Sequence, residues 1–298
     1  MDAAAPNPFR CPQCAGPLES GAARVTCSKG HAFPVADGIP VLLREQAYVE
    51  QYAKQIAYFS AESSSYASDH VLSPWMRKFV DMVAIGCGPI EPGMVALDIG
   101  CGTGYMSIEL ARMGCSVLAA DLTTATMRVL AAKVAKLGLA SRVTPAICSA
   151  LDLPLADGSV DIVVANAVIE HLPDDRRFVA EVARVLKPGG KGVFVAPVKL
   201  GLVWPFFWLV NAIHDRRIGH LRRYSEGSFR QLLDAHGLEL GRVAYSGHLV
   251  KVVGTLAQML LRSHRWDEAL ERIDATTSGH AYGSSNIAVT FTKPGEGA

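Results

Sequence analysis

The chain has 298 residues, half of them hydrophobic, and its 29 basic and 28 acidic residues give a formal net charge of +1. This length favours one large domain with a small appendage, and the apolar fraction is sufficient for a sizeable core. The near-zero net charge excludes a general electrostatic attraction to nucleic acid or to anionic membranes. Any such binding must come from a local patch of charge.

Two features of the sequence bear on its compartment. The N-terminal residues lack a charged segment followed by an apolar run, and proline and lysine residues interrupt the longest apolar stretch, 193–213. We therefore expect neither a secretory signal nor a transmembrane helix. Seven cysteines in such a chain are typical of reduced thiols, so we expect a cytoplasmic location.

The first motif along the chain is C-x2-C-x12-C-x3-H, formed by Cys11, Cys14, Cys27 and His31. Three thiolates and one imidazole make a closed tetrahedral set for zinc, with no position left for a catalytic water. We expect Gly16 to relax the first pair of ligands into a left-handed turn. The sequence therefore predicts a structural zinc ribbon over residues 1–44.

The segment 9–44 resembles the small zinc ribbons that precede some bacterial methyltransferases, including ribosomal RNA guanine methyltransferases. It also resembles the Trm112-like proteins that carry the sequence DGIPVLL, which stands here at 37–43. Three roles are open for such a ribbon: binding of RNA, stabilisation of the fold, or a part in the substrate site.

A second motif begins at a short apolar run, 94–99, which is typical of a buried strand. It leads into the turn Gly100-Cys101-Gly102-Thr103-Gly104 and then into a helical pattern, the arrangement that opens a nucleotide-binding crevice. The next strand, 115–120, ends at Asp121, whose carboxylate can accept hydrogen bonds from both ribose hydroxyls. The dinucleotide pattern G-x-G-x-x-G is absent, because Tyr105 occupies the position of its third glycine.

Four successive motifs, LDIGCGTGY, AADL, DLPLADGSVDIVVANAVIEHLPD and EVARVLKPGGKGVFVAP, resemble those of class I S-adenosylmethionine-dependent methyltransferases. The resemblance covers about residues 45–298. It implies an α/β, Rossmann-like sheet with helices on both faces, and S-adenosylmethionine as cofactor. The residues that it implies around the cofactor are Asp98, Gly100, Cys101, Gly102, Gly104, Asp121, Leu122, Ser149, Ala150, Leu151 and Asn166.

Within this set, the resemblance implies that Asp121 holds the ribose, that Leu122 packs on the adenine, and that Asp98 and Asn166 lie beside the methionine part. Relatives usually have an aspartate where this chain has Ser149, and that aspartate accepts from the adenine amino group. A serine hydroxyl is a weaker acceptor than a carboxylate. Either Ser149 suffices or another group takes its place.

Methyl transfer from a sulfonium is an in-line displacement, so the protein mainly aligns donor and acceptor and removes a proton where the nucleophile requires it. The candidates for contact with the acceptor are His171, His214, His220 and Tyr224, with His214 or His220 as general base. Similar quinone O-methyltransferases carry E-x-x-E-H at this point and bind a divalent ion. Ala167 occupies the first position of that motif here, so we expect this metal site to be missing. His171 then either orients its loop or takes part in catalysis.

We expect the acceptor site between the N-terminal helices and an insertion at 199–237. In the insertion, ten uncharged residues at 201–210 precede a segment with four arginines, 215–224. This combination is consistent with a hydrophobic tunnel that has a phosphate-binding mouth, with peripheral contact to a membrane or lipid, with a homodimer face, or with a buried helix and a solvated turn. The pattern over 219–237 is similar to methyltransferases encoded near glycan and natural-product assembly genes.

The sequence therefore predicts a methyltransferase for a small, largely hydrophobic acceptor, with or without a phosphate or a carrier group. The alternative is an rRNA or tRNA base methyltransferase guided by its ribbon. Against it stand the neutral chain and a ribbon whose basic residues are only Arg10, Arg24, Lys29 and Arg44. A third class, a non-catalytic cofactor-binding subunit, is disfavoured by the glycine turn and its acidic partner.

Overall fold

The computed structural model describes residues 7–44, 52–63, 70–199, 208–248, 254 and 266–295, and they form two sheets. In the smaller sheet each strand pairs antiparallel with the next. Its strands are β1 (Leu18–Glu19), β2 (Arg24–Cys27), β3 (Ala32–Ala36) and β4 (Ile39–Pro40). The first knuckle, the ligand-bearing turn at Cys11–Cys14, precedes β1, and the second lies between β2 and β3, as expected of a ribbon.

The main sheet has seven strands in the order β10-β11-β9-β8-β5-β6-β7. Strands β5 to β9 are parallel, and β11 is antiparallel to both of its neighbours. The strands are β5 (Val95–Ile99), β6 (Ser116–Asp121), β7 (Val143–Ile147), β8 (Val160–Asn166), β9 (Leu186–Pro197), β10 (Glu239–Ser246) and β11 (Asn286–Thr292). Because β5 lies between β6 and β8, the strand order reverses at its carboxyl end, where ligands bind in sheets of this kind.

Helices cover both faces of this sheet, which confirms the predicted α/β architecture. In chain order they are α1 (Ala53–Ser63), α2 (Pro74–Gly86), α3 (Tyr105–Arg112), α4 (Thr124–Lys136), α5 (Asp175–Val185), α6 (Trp208–Ile218), α7 (Glu226–Asp234) and α8 (Asp267–Thr276). One apolar cluster joins α2, α3 and α4 to the sheet, and another joins α5 and α7. Successive residues of the central strands point to opposite faces of the sheet. Ala96 packs in the cluster with α2, α3 and α4, and Leu97 packs in the cluster with α5 and α7.

The ribbon packs on the main sheet. The Arg10 N–H donates to Pro154 O at 2.8 Å, and the Leu42 N–H donates to Ile147 O, at the end of β7, at 2.7 Å. Phe9 and Leu42 are buried in the apolar cluster that contains Leu97. The ribbon therefore extends the core beyond edge strand β7. The domain boundary at 44/45 stays a prediction, because 45–51 lie outside the described residues.

Most of the apolar segment 201–210 also lies outside the described residues, which resume at Trp208. Helix α6 exposes Trp208 and Ile213 and carries Arg216 and Arg217 in its last turn. In the described part of the chain, no helix is both long and apolar enough to span a bilayer. The tunnel, lipid-contact and dimer-face interpretations of this segment stay predictions.

A buried ion pair links α2 to α8. The side chain of Asp274 is fully buried, and its Oδ2 lies 2.9 Å from Lys78 Nζ. Its Oδ1 accepts from the backbone N–H of His248 at 2.8 Å, and Oδ2 accepts from that of Gly247 at 3.1 Å. Burial by itself raises the pKa of Asp274, but Lys78 and the backbone donors outweigh it and bring the pKa to about 2.

Asp274→Asn is expected to lower the free energy of unfolding at neutral pH by about 3 kcal/mol, because Lys78 loses its anionic partner in a largely dry site. The pKa of Asp274 is depressed from 3.8 to about 2 in the folded protein. Its contribution is therefore complete above about pH 4 and is lost as the pH falls towards 2. Urea unfolding should show a large difference between variant and wild type at pH 7 and a small one near pH 2.5. The exposed control Asp234→Asn should have the same free energy of unfolding as wild type at both pH values. If Asp274→Asn were as stable as wild type at pH 7, this role of the ion pair would be contradicted.

Candidate functional site

The glycine turn opens a cavity of about 230 Å³ at the carboxyl ends of β5, β6 and β8. This is the position at which the strand order reverses, and it is where the sequence predicts the cofactor. Six of the eleven predicted cofactor residues line the cavity: Gly100, Gly102, Asp121, Leu122, Ala150 and Asn166. We call it the crevice below.

The turn adopts backbone conformations that favour glycine, with φ of +52° at Gly102 and +82° at Gly104. A Cβ built at Gly102 would meet no protein atom within 4 Å, so the space beside this backbone is left for a ligand. A Cβ at Gly104 would lie 2.1 Å from Leu130 Cδ1. Gly102 thus leaves room in the crevice, and Gly104 lets α4 pack against the turn.

Asp121 stands at the end of β6 on the crevice wall. Its Oδ2 accepts from the Gly102 N–H at 2.9 Å, and its Oδ1 accepts from the Thr123 N–H at 2.7 Å. Burial raises the pKa of Asp121, and these two donors oppose the rise. Each carboxylate oxygen has further acceptor capacity, so the group can also take two ribose hydroxyls. The open glycine and the oriented carboxylate together fit the ribose end of the expected cofactor.

Asn166 lines the crevice, and its Nδ2 donates to the Tyr105 hydroxyl at 2.7 Å. Asp98 lies behind the turn, where its Oδ2 accepts from Ser107 Oγ at 2.6 Å. Burial raises the pKa of Asp98 to about 7, and the Ser107 hydroxyl opposes part of the rise. Asp98 thus ties β5 to α3 beneath the crevice, and its place beside the methionine part stays a prediction.

Ser149 also lies behind the wall. Its Oγ accepts from the Leu151 N–H at 3.2 Å, and the two residues are only 2% and 3% exposed. The hydroxyl thus closes the loop after β7, and Cys148 and Ala150 line the wall beside it; the adenine contact of Ser149 stays a prediction. The Sγ of Cys101 lies 3.4 Å from Met127 Sδ, and the cofactor contact of this residue stays a prediction.

The N-terminal wall of the crevice comes from α1 and the residue before it. Tyr52, Gln55, Ile56 and Phe59 line it at the i, i+3, i+4, i+7 spacing of one helix face. Tyr52 is only 4% exposed and also belongs to the apolar cluster that contains Leu97, so it packs in the core as well as lining the crevice.

At the far end of the crevice, His171 presents its ring to the cavity. Its Nδ1 lies 3.3 Å from Gly219 O, and its ring contacts Phe59 and His220 edge-on, at centroid distances of 5.8 and 4.8 Å. Burial lowers the pKa of His171 to about 4, and the neighbouring His220 contributes to the drop. The imidazole is therefore neutral at pH 7 and offers a lone pair.

His220 lies behind His171 and is oriented by the insertion. Its Nδ1 is 2.7 Å from Asp215 Oδ1, and Arg223 holds that carboxylate through Nε–Oδ2 and Nη2–Oδ1 contacts of 2.7 and 2.8 Å. This leaves His220 Nε2 facing Glu170, 3.7 Å from Oε1. Glu170 is buried, and its Oε2 has no hydrogen-bond partner among the described residues. Burial raises the pKa of Glu170 to about 8.

Glu170, His171 and His220 form a donor set that fits a divalent cation. Their ligand atoms lie within 4.8 Å of one another, and the Nδ1 of each imidazole lies beside an oxygen atom. A carboxylate behind a histidine, as Asp215 is here, is a common support for metal ligation. Our expectation of a missing site rested on Ala167 alone. It is corrected to this extent: His220, from the insertion, offers a third donor.

Two further predicted acceptor residues have other placements. Tyr224 stacks on Phe229 at a centroid distance of 4.6 Å, and its hydroxyl donates to Asp175 Oδ2 at 3.0 Å. It is 3% exposed, so its predicted contact with the acceptor is corrected to a packing role under α5. The side chain of His214 lies outside the described residues, and its role as a base stays a prediction.

In the ribbon, the four predicted metal ligands converge. The Sγ atoms of Cys14 and Cys27 are 3.7 Å apart, and His31 Nδ1 lies 3.4 and 3.3 Å from the Sγ atoms of Cys11 and Cys27. These separations suit one tetrahedral ion with bonds of about 2.0–2.3 Å. Burial raises the pKa of Cys27, but backbone donors, including the His31 N–H, bring it to about 6. A thiol of this kind is ready to ligate a metal.

The first knuckle differs from its prediction in one detail. The left-handed residue is Ala15, with φ of +56°, and not Gly16. A Cβ at Gly16 would lie 3.3 Å from Cys14 Sγ, so this glycine makes room for the thiolate. The ribbon lies beside the loop after β7, and no residue of 7–44 is among those that line the crevice.

Comparison with known proteins identifies the chemistry of the crevice. Residues 97–194 match the model of a family described as a methyltransferase domain. A ubiquinone biosynthesis O-methyltransferase of Caulobacter vibrioides is 30% identical over 198 residues, which cover 60% of this chain and 77% of that protein. The chain belongs to the class I S-adenosylmethionine-dependent methyltransferases. The methyltransferase therefore uses S-adenosylmethionine, and the crevice is the place where we expect this cofactor to bind.

Other relatives share the fold with different chemistry. The methyltransferase GfsG of Streptomyces halstedii is 37% identical over 103 residues, which are 34% of this methyltransferase and 37% of GfsG. The [4+2]-cyclase SpnF has a TM-score of 0.60 at 20% identity, covering 86% and 99% of the two chains. A geranyl diphosphate C-methyltransferase from Streptomyces coelicolor has a TM-score of 0.56 at 18% identity, covering 73% and 76%. The similarity to these two solved structures establishes the fold of the chain but does not identify its methyl acceptor.

Proposed function

We propose that this methyltransferase acts on a small, largely hydrophobic acceptor that carries a hydroxyl group. The observation that carries the proposal is the far end of the crevice, where Ile56, Phe59 and Leu172 form apolar walls around His171. Binding sites for small organic molecules combine such walls with few polar groups. Relatives named for ubiquinone biosynthesis are O-methyltransferases, which supports a hydroxyl as the accepting group.

When bound, S-adenosylmethionine supplies an activated methyl group. Asp121 and the Gly102 backbone hold the nucleoside, and Asn166 lies beside the methionine part. Phe59 on α1 excludes water from the space between this cofactor and His171. Positioning of this kind accounts for a large share of catalysis in displacement reactions.

We further propose that Glu170, His171 and His220 hold a divalent cation at the acceptor end. Such an ion, when bound, supplies positive charge that favours the ionised form of a nearby hydroxyl. The unpartnered Glu170 Oε2 supports this, because a buried carboxylate oxygen without a donor is costly unless a ligand satisfies it. Asp215 and Arg223 orient the His220 ring through its Nδ1, with Nε2 on the side of Glu170.

Zinc-loaded wild-type protein is expected to bind Mn²⁺ at this cluster, and Glu170→Gln should weaken that binding at least tenfold by removing the anionic ligand. Asp215→Asn should weaken it by roughly 10- to 100-fold, because it alters a support behind a ligand. Electron paramagnetic resonance titration of free Mn²⁺ measures both. The exposed control Glu226→Gln should match wild type. Equal Mn²⁺ affinity in Glu170→Gln would contradict the site.

We also propose that Cys11, Cys14, Cys27 and His31 hold a structural zinc ion that stabilises the fold. The convergence of the four ligand atoms and the packing of Phe9 and Leu42 into the core support this role. The Trm112-like character of the ribbon and the cytoplasmic location remain predictions.

The acceptor class is tested by methyl transfer from radiolabelled S-adenosylmethionine. We expect label in alkyl-substituted catechols and hydroquinones and none in rRNA or tRNA. The RNA alternative would instead require label in RNA and an RNA affinity that falls steeply with salt, as phosphate contacts produce. Labelled RNA without labelled small molecule would contradict the proposal.

A further inference from the structure

A second groove, of about 610 Å³, lies between α2, β10 and α8. It shares no lining residue with the crevice, and nothing in methyl transfer uses it. Its floor is apolar, formed by residues such as Met82, Val243 and Ala275, and four basic side chains surround it: Arg77, Lys78, Arg242 and Arg272. Asp81 is the one carboxylate in the lining.

A β-bulge turns Arg242 towards this groove. The register between β10 and β11 shifts between Leu240 and Val243, and the Arg242 N–H donates to Thr290 Oγ1 at 2.7 Å. Gly241 permits the close approach, because a Cβ there would lie 2.5 Å from the same Oγ1. Bulges are frequent beside binding sites, where they redirect a side chain.

The basic residues of the groove differ in their partners. Lys78 is held by the buried Asp274 at 2.9 Å. Arg77 and Arg242 are exposed, and in the described ranges of the chain neither guanidinium has a side-chain or carbonyl partner. Two unpaired guanidiniums that face one groove suit a planar or tetrahedral anion such as a carboxylate or a phosphate.

The apolar part of the groove continues along α2. From Arg77 to Ile85 the helix advances roughly 12 Å, at 1.5 Å per residue. Met82 lies along this path, and Ile85 is 64% exposed at its end. A hydrocarbon chain that covered these side chains would remove apolar surface from water, which favours binding.

We propose that this groove binds a single-chain anionic amphiphile, with its head group between Arg77 and Arg242 and its hydrocarbon chain along Met82 and Ile85. A free alkyl phosphate or carboxylate and an anionic lysophospholipid of a membrane share this chemistry. The site is distinct from the crevice and is independent of the acceptor proposed above.

Calorimetry on the full zinc-loaded chain tests the proposal with dodecyl phosphate below its micelle concentration. We expect binding at least tenfold tighter than that of inorganic phosphate or of the uncharged dodecyl maltoside. The double variant Arg77→Gln/Arg242→Gln should bind dodecyl phosphate at least tenfold more weakly. The control Arg176→Gln/Arg230→Gln, which removes two exposed arginines elsewhere, should bind as wild type does. All variants should keep their affinity for S-adenosylmethionine.

Vesicles distinguish the two sources of ligand. Cosedimentation with phosphatidylcholine vesicles that contain lysophosphatidylglycerol, but not with pure phosphatidylcholine vesicles, would identify a membrane lipid if it is lost in the groove double variant. Binding of dodecyl phosphate without cosedimentation would identify a free amphiphile, and either result supports the groove. Equal affinity of the groove and control variants, or equal affinity for charged and uncharged amphiphiles, would overturn it.

Discussion

Asp121→Ala is expected to weaken S-adenosylmethionine binding at least tenfold and to lower kcat/KM by a similar factor. The carboxylate is held by the N–H groups of Gly102 and Thr123, so it meets the ribose without reorganisation. Hydrogen bonds to a charged group contribute about 1.5–3 kcal/mol, which corresponds to roughly 10- to 150-fold in affinity. Isothermal titration calorimetry with S-adenosylmethionine and with S-adenosylhomocysteine measures this loss.

Two further variants sharpen that result. Asp234→Ala, on the exposed side of α7, should leave cofactor affinity unchanged. Asp121→Asn retains one acceptor oxygen and should fall between wild type and Asp121→Ala. Wild-type affinity in a folded Asp121→Ala protein would show that the ribose does not lie at the end of β6.

Cys14→Ser is expected to release zinc and to lower the free energy of unfolding by about 3 kcal/mol or more, because structural zinc sites contribute directly to folding. Phe9 and Leu42 of the ribbon pack in the core of the main domain. Unfolding of the ribbon would therefore also expose edge strand β7 of the main sheet. In a chain of this size, 3 kcal/mol corresponds to roughly 6–12 °C in Tm. Cofactor binding at low temperature should persist, since no ribbon residue lines the crevice.

Scanning calorimetry and elemental analysis measure these two effects. Cys115→Ala is the matched control: this thiol is buried in the main core and is no part of the zinc set, so zinc content should stay unchanged. A Cys14→Ser protein with normal Tm and impaired turnover would contradict the structural role and would make the ribbon part of the site.

The cofactor side of the site was predictable because its determinants are local. A glycine turn directly after a buried strand, and an acid at the end of the next strand, are short patterns whose geometry follows from strand and turn chemistry. The knuckles of the ribbon are equally local, and the four ligands converge as predicted. Ser149 shows the limit of such reasoning, because only the structure reveals that its hydroxyl accepts from the Leu151 N–H.

The acceptor side was less predictable because it brings distant parts of the chain together. Phe59, His171 and His220 come from α1, from the turn after β8 and from the insertion, and they meet only when these elements pack. The role of Glu170 also depends on burial, which deprives its Oε2 of a partner and raises its pKa.

The sequence by itself determined that this chain folds as an α/β methyltransferase and which four residues form the ribbon cluster, and it predicts where the nucleoside of the cofactor binds. Those properties depend on short patterns: a turn after a strand, an acid at the end of the next strand, and two pairs of closely spaced ligands. Only the tertiary structure decided which side chains line the far end of the crevice, that the ribbon lies outside the crevice, and that a bulge turns Arg242 into a second groove. These depend on packing between elements far apart in the chain, where burial and neighbouring charges set what each side chain can do.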